Sequence, residues 1–343
     1  MKRLSPAYFA LVMATGILSI GARDLHFPAL ASGLFGFNVA AYAVLAGLTL
    51  LRAVRYPRLF FADMIDHRVG PGFFTAVAGS CILGTQMLSM WHSAAAAGAA
   101  LVFGVALWIG LTYTIFAAFT VKLRKPPLQE GINGSWLIAV VAAQSIAVLA
   151  ALIAREGPPA LRAQLDFLAL SMWLWGGMLY VWIISLIFYR LTFLALSPED
   201  LTPPYWINMG AMAISALAGA ELMPNSPDAP FLASLSPFIK GFTVLYWATG
   251  TWWIPMLLVL GVWRHLVRRF PLRYDPLYWG AVFPLGMYAV ATRQMAAALD
   301  LPFLDFLPPI VFAAALAAWI LVFAGLLWEL GRPLWRWFES RRP

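Results

Sequence analysis

Residues 131–149 read GINGSWLIAVVAAQSIAVL. No charge interrupts the run, and a helix that crosses a bilayer needs about 20 mostly apolar residues. The run is not uniformly apolar: Asn133, Gly134, Ser135, Gln144 and Ser145 stand among Ala, Val, Ile and Leu. Hydrocarbon tails suit bulky apolar side chains, whereas helices that pack closely or line a polar path carry small and polar ones. This stretch therefore reads as a spanning helix shielded from lipid.

Nine comparable runs accompany it. The ten segments are approximately 7–22, 30–51, 71–90, 93–119, 133–153, 161–189, 204–222, 234–263, 276–296 and 306–331. No linker between them is long enough for a soluble domain, so residues 1–343 read as a single transmembrane domain. The composition agrees. Of the 343 residues, 62% are hydrophobic and 11% charged, and the mean hydropathy is +0.80. A soluble domain is about 45–50% apolar and about 25% charged. A soluble enzyme, a nucleic-acid-binding domain and a disordered chain are thereby excluded. Cys81 is the lone cysteine, which leaves no intrachain disulfide and no thiolate cluster. No G-x-x-x-x-G-K-[ST] run supports ATP-driven transport.

The net charge of +8 is a matter of topology. With a cytoplasmic N-terminus, the inner side holds Lys2, Arg3, Arg52, Arg55, Arg58, Arg68, Lys122, Arg124, Lys125, Arg190, Arg264, Arg268, Arg269, Arg273, Arg332, Arg336, Arg341 and Arg342, 18 of the 23 basic residues. The outer side holds Arg23, Arg155 and Arg162, and Lys240 and Arg293 fall inside segments. Basic residues mark the cytoplasmic side, so ten spans with both termini cytoplasmic are expected in a cell membrane. Lys2 and Arg3 before a short apolar run also resemble a signal peptide, but no Ala-x-Ala-like site follows and cleavage would spoil the charge pattern. The basic run Arg264–Arg273 reads as topogenic charge in contact with anionic lipid. Trp252, Trp253, Trp279, Trp335 and Trp337 read as interfacial belt residues.

The segments alternate. The odd ones are short and carry the small and polar residues; the even ones after the second are long and rich in Leu, Val, Phe, Tyr and Trp. The expectation is an all-α membrane protein of five helical hairpins, with five odd helices ringing a central pore and five even helices outside. The alternative is that the small residues only permit close packing. Pro6, Pro71, Pro203, Pro204 and Pro276 stand at or just before odd-segment starts, where proline's missing N–H costs nothing. Pro284 lies inside the ninth segment, where it removes a helical hydrogen bond and favours a kink.

Three motifs carry a family resemblance: the fifth-segment run from Gly131 to Leu149, YWGAVFPLGMYAVAT from Tyr278 to Thr292, and PAYFALVMATGILSIG from Pro6 to Gly21. In order and spacing they resemble the tellurite-resistance and dicarboxylate transporter family, related to malate and sulfite transporters and to the plant guard-cell slow anion channel. The resemblance covers nearly the whole chain. It implies a homotrimer with one pore per subunit, passage of small anions through the five inner helices, and a phenylalanine plug on the ninth helix. Phe283, before Pro284, is the position that corresponds. Family pores carry prolines in several inner helices near mid-membrane, and here only the ninth does.

Candidate site residues follow. Phe283 and Pro284 form the gate. The neutral residues Thr15, Ser80, Gln144, Asn208 and Ser215, with Gly286, read as pore-lining, because weak neutral contacts suit conduction. Ionisable groups within spans are functional candidates, and Lys240, Arg293, Glu221 and Asp166 all fall near the outer face. They read either as a vestibule field that gathers anions or as ion pairs and snorkelling side chains. No carboxylate or histidine sits at mid-membrane on an odd segment, which favours a channel over a proton-coupled dicarboxylate carrier. His26, His67, His92 and His265 lie near interfaces without metal-ligand spacing. No G-x-S-x-G or H-E-x-x-H supports a membrane enzyme. The expected partners are small anions and membrane lipids, with no cofactor, no metal and no nucleic acid. The substrates expected are chloride, nitrate, sulfite, malate-like dicarboxylates or tellurite.

Overall fold

The computed structural model describes residues 2, 4–157 and 159–339, with side chains to 331. Arg3, Arg341 and Arg342 lie outside the described residues, and the side chains of Arg332, Arg336, Trp335 and Trp337 lie outside those described. Among the described residues there is no strand. Ten long helices succeed one another: α1 (Ala10–Asp24), α2 (Pro28–Arg55), α3 (Phe74–Trp91), α4 (Ala94–Val121), α5 (Ile138–Glu156), α6 (Arg162–Phe193), α7 (Ile207–Leu222), α8 (Pro230–Val262), α9 (Trp279–Leu299) and α10 (Leu307–Glu339). Among the described residues, nine spans are long and apolar enough to cross a membrane. The stretch holding α9 is not among them, because Gly280, Pro284, Gly286, Arg293 and Gln294 dilute its apolar content.

The short helices share one way of starting. Each of α1, α3, α5, α7 and α9 is preceded by a tight 3-10 turn: Pro6–Phe9, Gly70–Phe73, Gly134–Leu137, Pro203–Trp206 and Pro276–Tyr278. Four of these turns carry proline in their first two positions, where its fixed φ is already helical. The turn before α5 lacks one, and the Asn133 side chain caps it by accepting from the Ser135 N–H at 2.8 Å. Ser5 and Asp275 cap the turns before α1 and α9 likewise, accepting from the Ala7 and Leu277 N–H groups.

Burial separates the two sets. In α1, α3, α5 and α7, 78 to 94% of the most apolar stretch of each span is buried inside the chain; in α2, α4, α6, α8 and α10 the share is 11 to 50%. Each long helix packs on the short helix before it. Among the short ones, α1 packs on α3 and α9, α3 on α5, α5 on α7, and α7 on α9. Their bulky outer neighbours expose Phe103, Tyr113, Trp182, Phe193, Trp252 and Trp328, as surfaces solvated by hydrocarbon do.

Ion pairs gather at the two ends of the helix set. The end holding the starts of the short helices carries Arg52–Asp63, Arg68–Glu130 and Arg190–Asp200. Burial pushes the Asp200 carboxyl up, but hydrogen bonds from Ser197 and the Arg190 charge outweigh it and hold it below the ordinary carboxylate range. The opposite end carries Arg23–Asp24, Arg155–Glu221 and Arg162–Asp228.

Candidate functional site

Two cavities lie between the five short helices, and all five line both. The first sits among the helix starts and is bounded by Ala7, Ala10 and Met13, Thr75, Ser135, Ile138 and Val141, Pro204 and Ile207, and Leu277, Gly280 and Phe283. The second sits among the helix ends, bounded by Ile17, Ile20 and Arg23, Ile82, Thr85, Leu88 and Ser89, Ser145, Val148, Leu152, Arg155 and Glu156, Ile214, Leu217 and Glu221, and Met287, Val290 and Gln294. The helices therefore run in the same direction about a common axis. The lining residues recur every three or four positions, as one face of a helix must.

The cavities differ in size and chemistry. The first holds about 20 Å³, about one water molecule's worth. The second holds about 120 Å³. Between them the linings are one helical turn apart on α1 (Met13 and Ile17), α5 (Val141 and Ser145) and α9 (Phe283 and Met287). Phe283, Ile17, Ile214 and Met287 are each 1% exposed, so apolar side chains close the axis between the cavities. An apolar constriction of this kind excludes water and ions together. Five helix starts surround the first cavity, and each helix N-terminus carries about half a positive charge.

Of the two residues expected to form a gate, one reaches this axis. Phe283 lines the first cavity, and Pro284 turns toward α7. A Cβ on Gly210 would lie 2.7 Å from the Pro284 ring, so only glycine leaves room for that ring.

None of the six residues expected to line a pore borders either cavity. Thr15 Oγ1 accepts from Trp319 Nε1 of α10 at 3.0 Å. Ser80 Oγ hydrogen-bonds Tyr42 Oη of α2 at 2.8 Å. Gln144 Nε2 donates to the Trp173 carbonyl of α6 at 3.0 Å. Trp173 Nε1 donates to the Ser215 carbonyl at 2.9 Å, and Tyr180 Oη to the Asn208 carbonyl at 3.1 Å. Gly286 faces α1, where a Cβ would meet Ile17 Cγ2 at 2.9 Å. For Thr15 and Ser80 the physical reason is partner demand: a polar group in hydrocarbon must find a hydrogen bond, and Trp319 and Tyr42 of the outer helices supply one. Ser215 Oγ instead donates to the Ala211 carbonyl of its own helix, and the buried Asn208 side-chain amide makes no hydrogen bond among the described residues. Thr15→Val should accordingly cost about 1 kcal/mol of stability, read as a lowered unfolding temperature in detergent, with transport unchanged. Altered transport at unchanged stability would put Thr15 on the axis.

The four expected vestibule charges also disperse. Glu221 borders the second cavity. Arg293 borders an open surface groove with Asp300 and Asp305. Lys240 is exposed on α8. Asp166 is fully buried and accepts from Asn225 Nδ2 at 2.6 Å. The charges that do reach the second cavity include Arg23, Arg155 and Glu156. Sequence reasoning absorbed Arg23 and Arg155 into topology; the signal that locates Arg155 is its register, a continuation of the stripe Ile138, Val141, Ser145, Val148 and Leu152.

Comparison with known proteins adds four findings. A family model described as voltage-dependent anion channel matches residues 3–327. An uncharacterised transporter of Methanocaldococcus jannaschii is 25% identical over 90% of this chain and 88% of its own. A sulfite efflux pump of Arthroderma benhamiae is 24% identical over 94% of this chain and 90% of its own. An uncharacterised membrane protein of Mycobacterium tuberculosis is 42% identical over 46% of this chain and 80% of its own.

Proposed function

This chain belongs to the voltage-dependent anion channel family, and on that premise we propose that it passes small anions along the axis of its five short helices, with Phe283 as the gate. The observation that carries the reading is that two cavities stack on one axis, both lined by the same five helices. The order of packing, α1 on α3, α3 on α5, α5 on α7, α7 on α9 and α9 on α1, supports a closed ring with the long helices outside. The end holding the helix starts is the cytoplasmic one, because Lys and Arg concentrate there. The assembly proposed is a homotrimer in the cell membrane.

The proposed mechanism is electrostatic attraction followed by a hydrophobic gate. Helix starts and basic residues at the cytoplasmic end give a positive field that concentrates anions. The apolar constriction then sets the barrier, and moving the Phe283 ring aside opens it. Fungal relatives carry the name sulfite efflux pump, which puts sulfite beside chloride and nitrate at the head of the candidates; malate-like dicarboxylates and tellurite follow.

The test is anion flux into liposomes holding the purified protein, anion by anion, with internal pH recorded. Uptake of one or more small anions without matching proton movement is expected. Uptake that carries protons in fixed ratio favours the proton-coupled carrier. Absence of flux for every anion, from folded protein, contradicts the reading.

A further inference from the structure

The second cavity is bordered by two carboxylates, Glu156 and Glu221, odd groups to place on a path for anions, and one of them is paired. Glu221 Oε2 accepts from Arg155 Nη2 at 2.9 Å. The two side chains come from different helices, α7 and α5, and both border the cavity. The Glu221 side chain is 11% exposed and that of Arg155 33%, so the carboxylate is the more enclosed partner and the guanidinium retains accessible surface. The contact joins one donor to one oxygen. A guanidinium can instead grip a planar oxyanion with two parallel hydrogen bonds.

A structural staple between α5 and α7 is the plainer explanation. Those helices already pack against each other. A second clasp, Arg162 Nη1 to Asp228 Oδ2 at 2.6 Å, ties the same end of the molecule outside the cavity. Arg155–Glu221 differs in bordering the cavity.

We propose that Arg155 is the anion-docking group of this cavity and that Glu221 is its tethered competitor, a carboxylate that holds the guanidinium until a mobile anion displaces it. The ligand class is a small inorganic anion, with planar or pyramidal oxyanions favoured over halides by the guanidinium fork. The proposal rests on the anion-passing reading of the same axis and adds a selective, self-occupied site to it.

Binding separates this proposal from transport. Purified protein in detergent is titrated with sodium nitrate, sulfite or chloride against sodium gluconate, and the unfolding temperature is followed. Glu221→Gln frees Arg155 without removing bulk, so its half-saturating nitrate concentration should fall at least about fivefold below wild type, by ligand-linked stabilisation. Adding Arg155→Gln to Glu221→Gln should abolish the gain. Asp228→Asn, which disturbs the clasp outside the cavity, should match wild type. Glu221→Asp, with its shorter reach, should shift the same way by less. Equal half-saturation in wild type and Glu221→Gln overturns the proposal, as does a gain that survives loss of Arg155. Failure of both Glu221 variants to fold makes the pair a staple and also overturns it. Flux in liposomes is read separately: wild-type protein that passes no anion contradicts the transport reading, while the binding titration still decides the role of Arg155 and Glu221.

Discussion

Phe283→Ala should raise anion flux by on the order of tenfold or more, which requires the barrier to fall by only about 1.4 kcal/mol. The ring borders the first cavity and is 1% exposed. Its removal joins a space of about 20 Å³ to the volume the ring vacates, and a wider apolar constriction wets more readily. The variant also carries a structural cost. Truncating a packed phenylalanine costs about 3–5 kcal/mol in a soluble core, and one side of this ring already faces a cavity. Phe283→Leu separates the effects, since it keeps most of the packing and should raise flux by less. Unchanged flux in folded Phe283→Ala makes the residue a packing aromatic and nothing more.

Gly134→Ala should have the largest effect on folding. The methyl would run into the backbone of Pro204 and Tyr205, where the turn before α5 crosses the turn before α7. Backbone cannot swing aside as the tip of a side chain can. Overpacking costs about 1–3 kcal/mol even where side chains yield, and here the cost should exceed that range. The expected result is little monodisperse protein after detergent extraction. Gly98→Ala is the control, because nothing lies within 4 Å of a Cβ there. Normal yield and unfolding temperature for Gly134→Ala would show that the two helix starts separate easily.

The helical content and the division of labour between helices were legible for simple reasons. Span length is fixed by bilayer thickness, and helices exposed to lipid must be apolar all round. The run from Gly131 to Leu149 already contrasts with the Trp173, Trp175 and Trp182 of the next segment, and burial follows the same contrast. Prolines at the starts of odd segments fit first helical turns, and four of the five tight turns there carry one. Hydropathy alone undervalued α9, whose glycines, proline and Arg293 dilute a span that is nevertheless packed on α1, α7 and α10.

The site was legible only in part. Phe283 and Pro284 stand out because proline inside a helix is uncommon. The lining was not readable from polarity, because a helix enclosed by protein has no single polar face. Thr15 and Ser80 turn outward to Trp319 and Tyr42, and Gln144 to the Trp173 carbonyl, while Met13, Ile17, Val141 and Met287 face the axis. Arg155 was hidden for a different reason: at the end of a span, a basic residue that marks topology and one that meets a ligand look the same in sequence.

The claim that anions travel between the five short helices has a direct test in thiol accessibility. Cys81, the native cysteine, is fully buried, so background labelling is low. Ser145→Cys places a thiol on the lining of the second cavity, and Thr15→Cys places one on the side of α1 that faces α10. An anionic methanethiosulfonate reagent is applied to each variant in liposomes during anion flux. Loss of most of the flux in Ser145→Cys, with Thr15→Cys unaffected, is the predicted result. Flux that persists in fully labelled Ser145→Cys, or falls in Thr15→Cys instead, would place the path elsewhere.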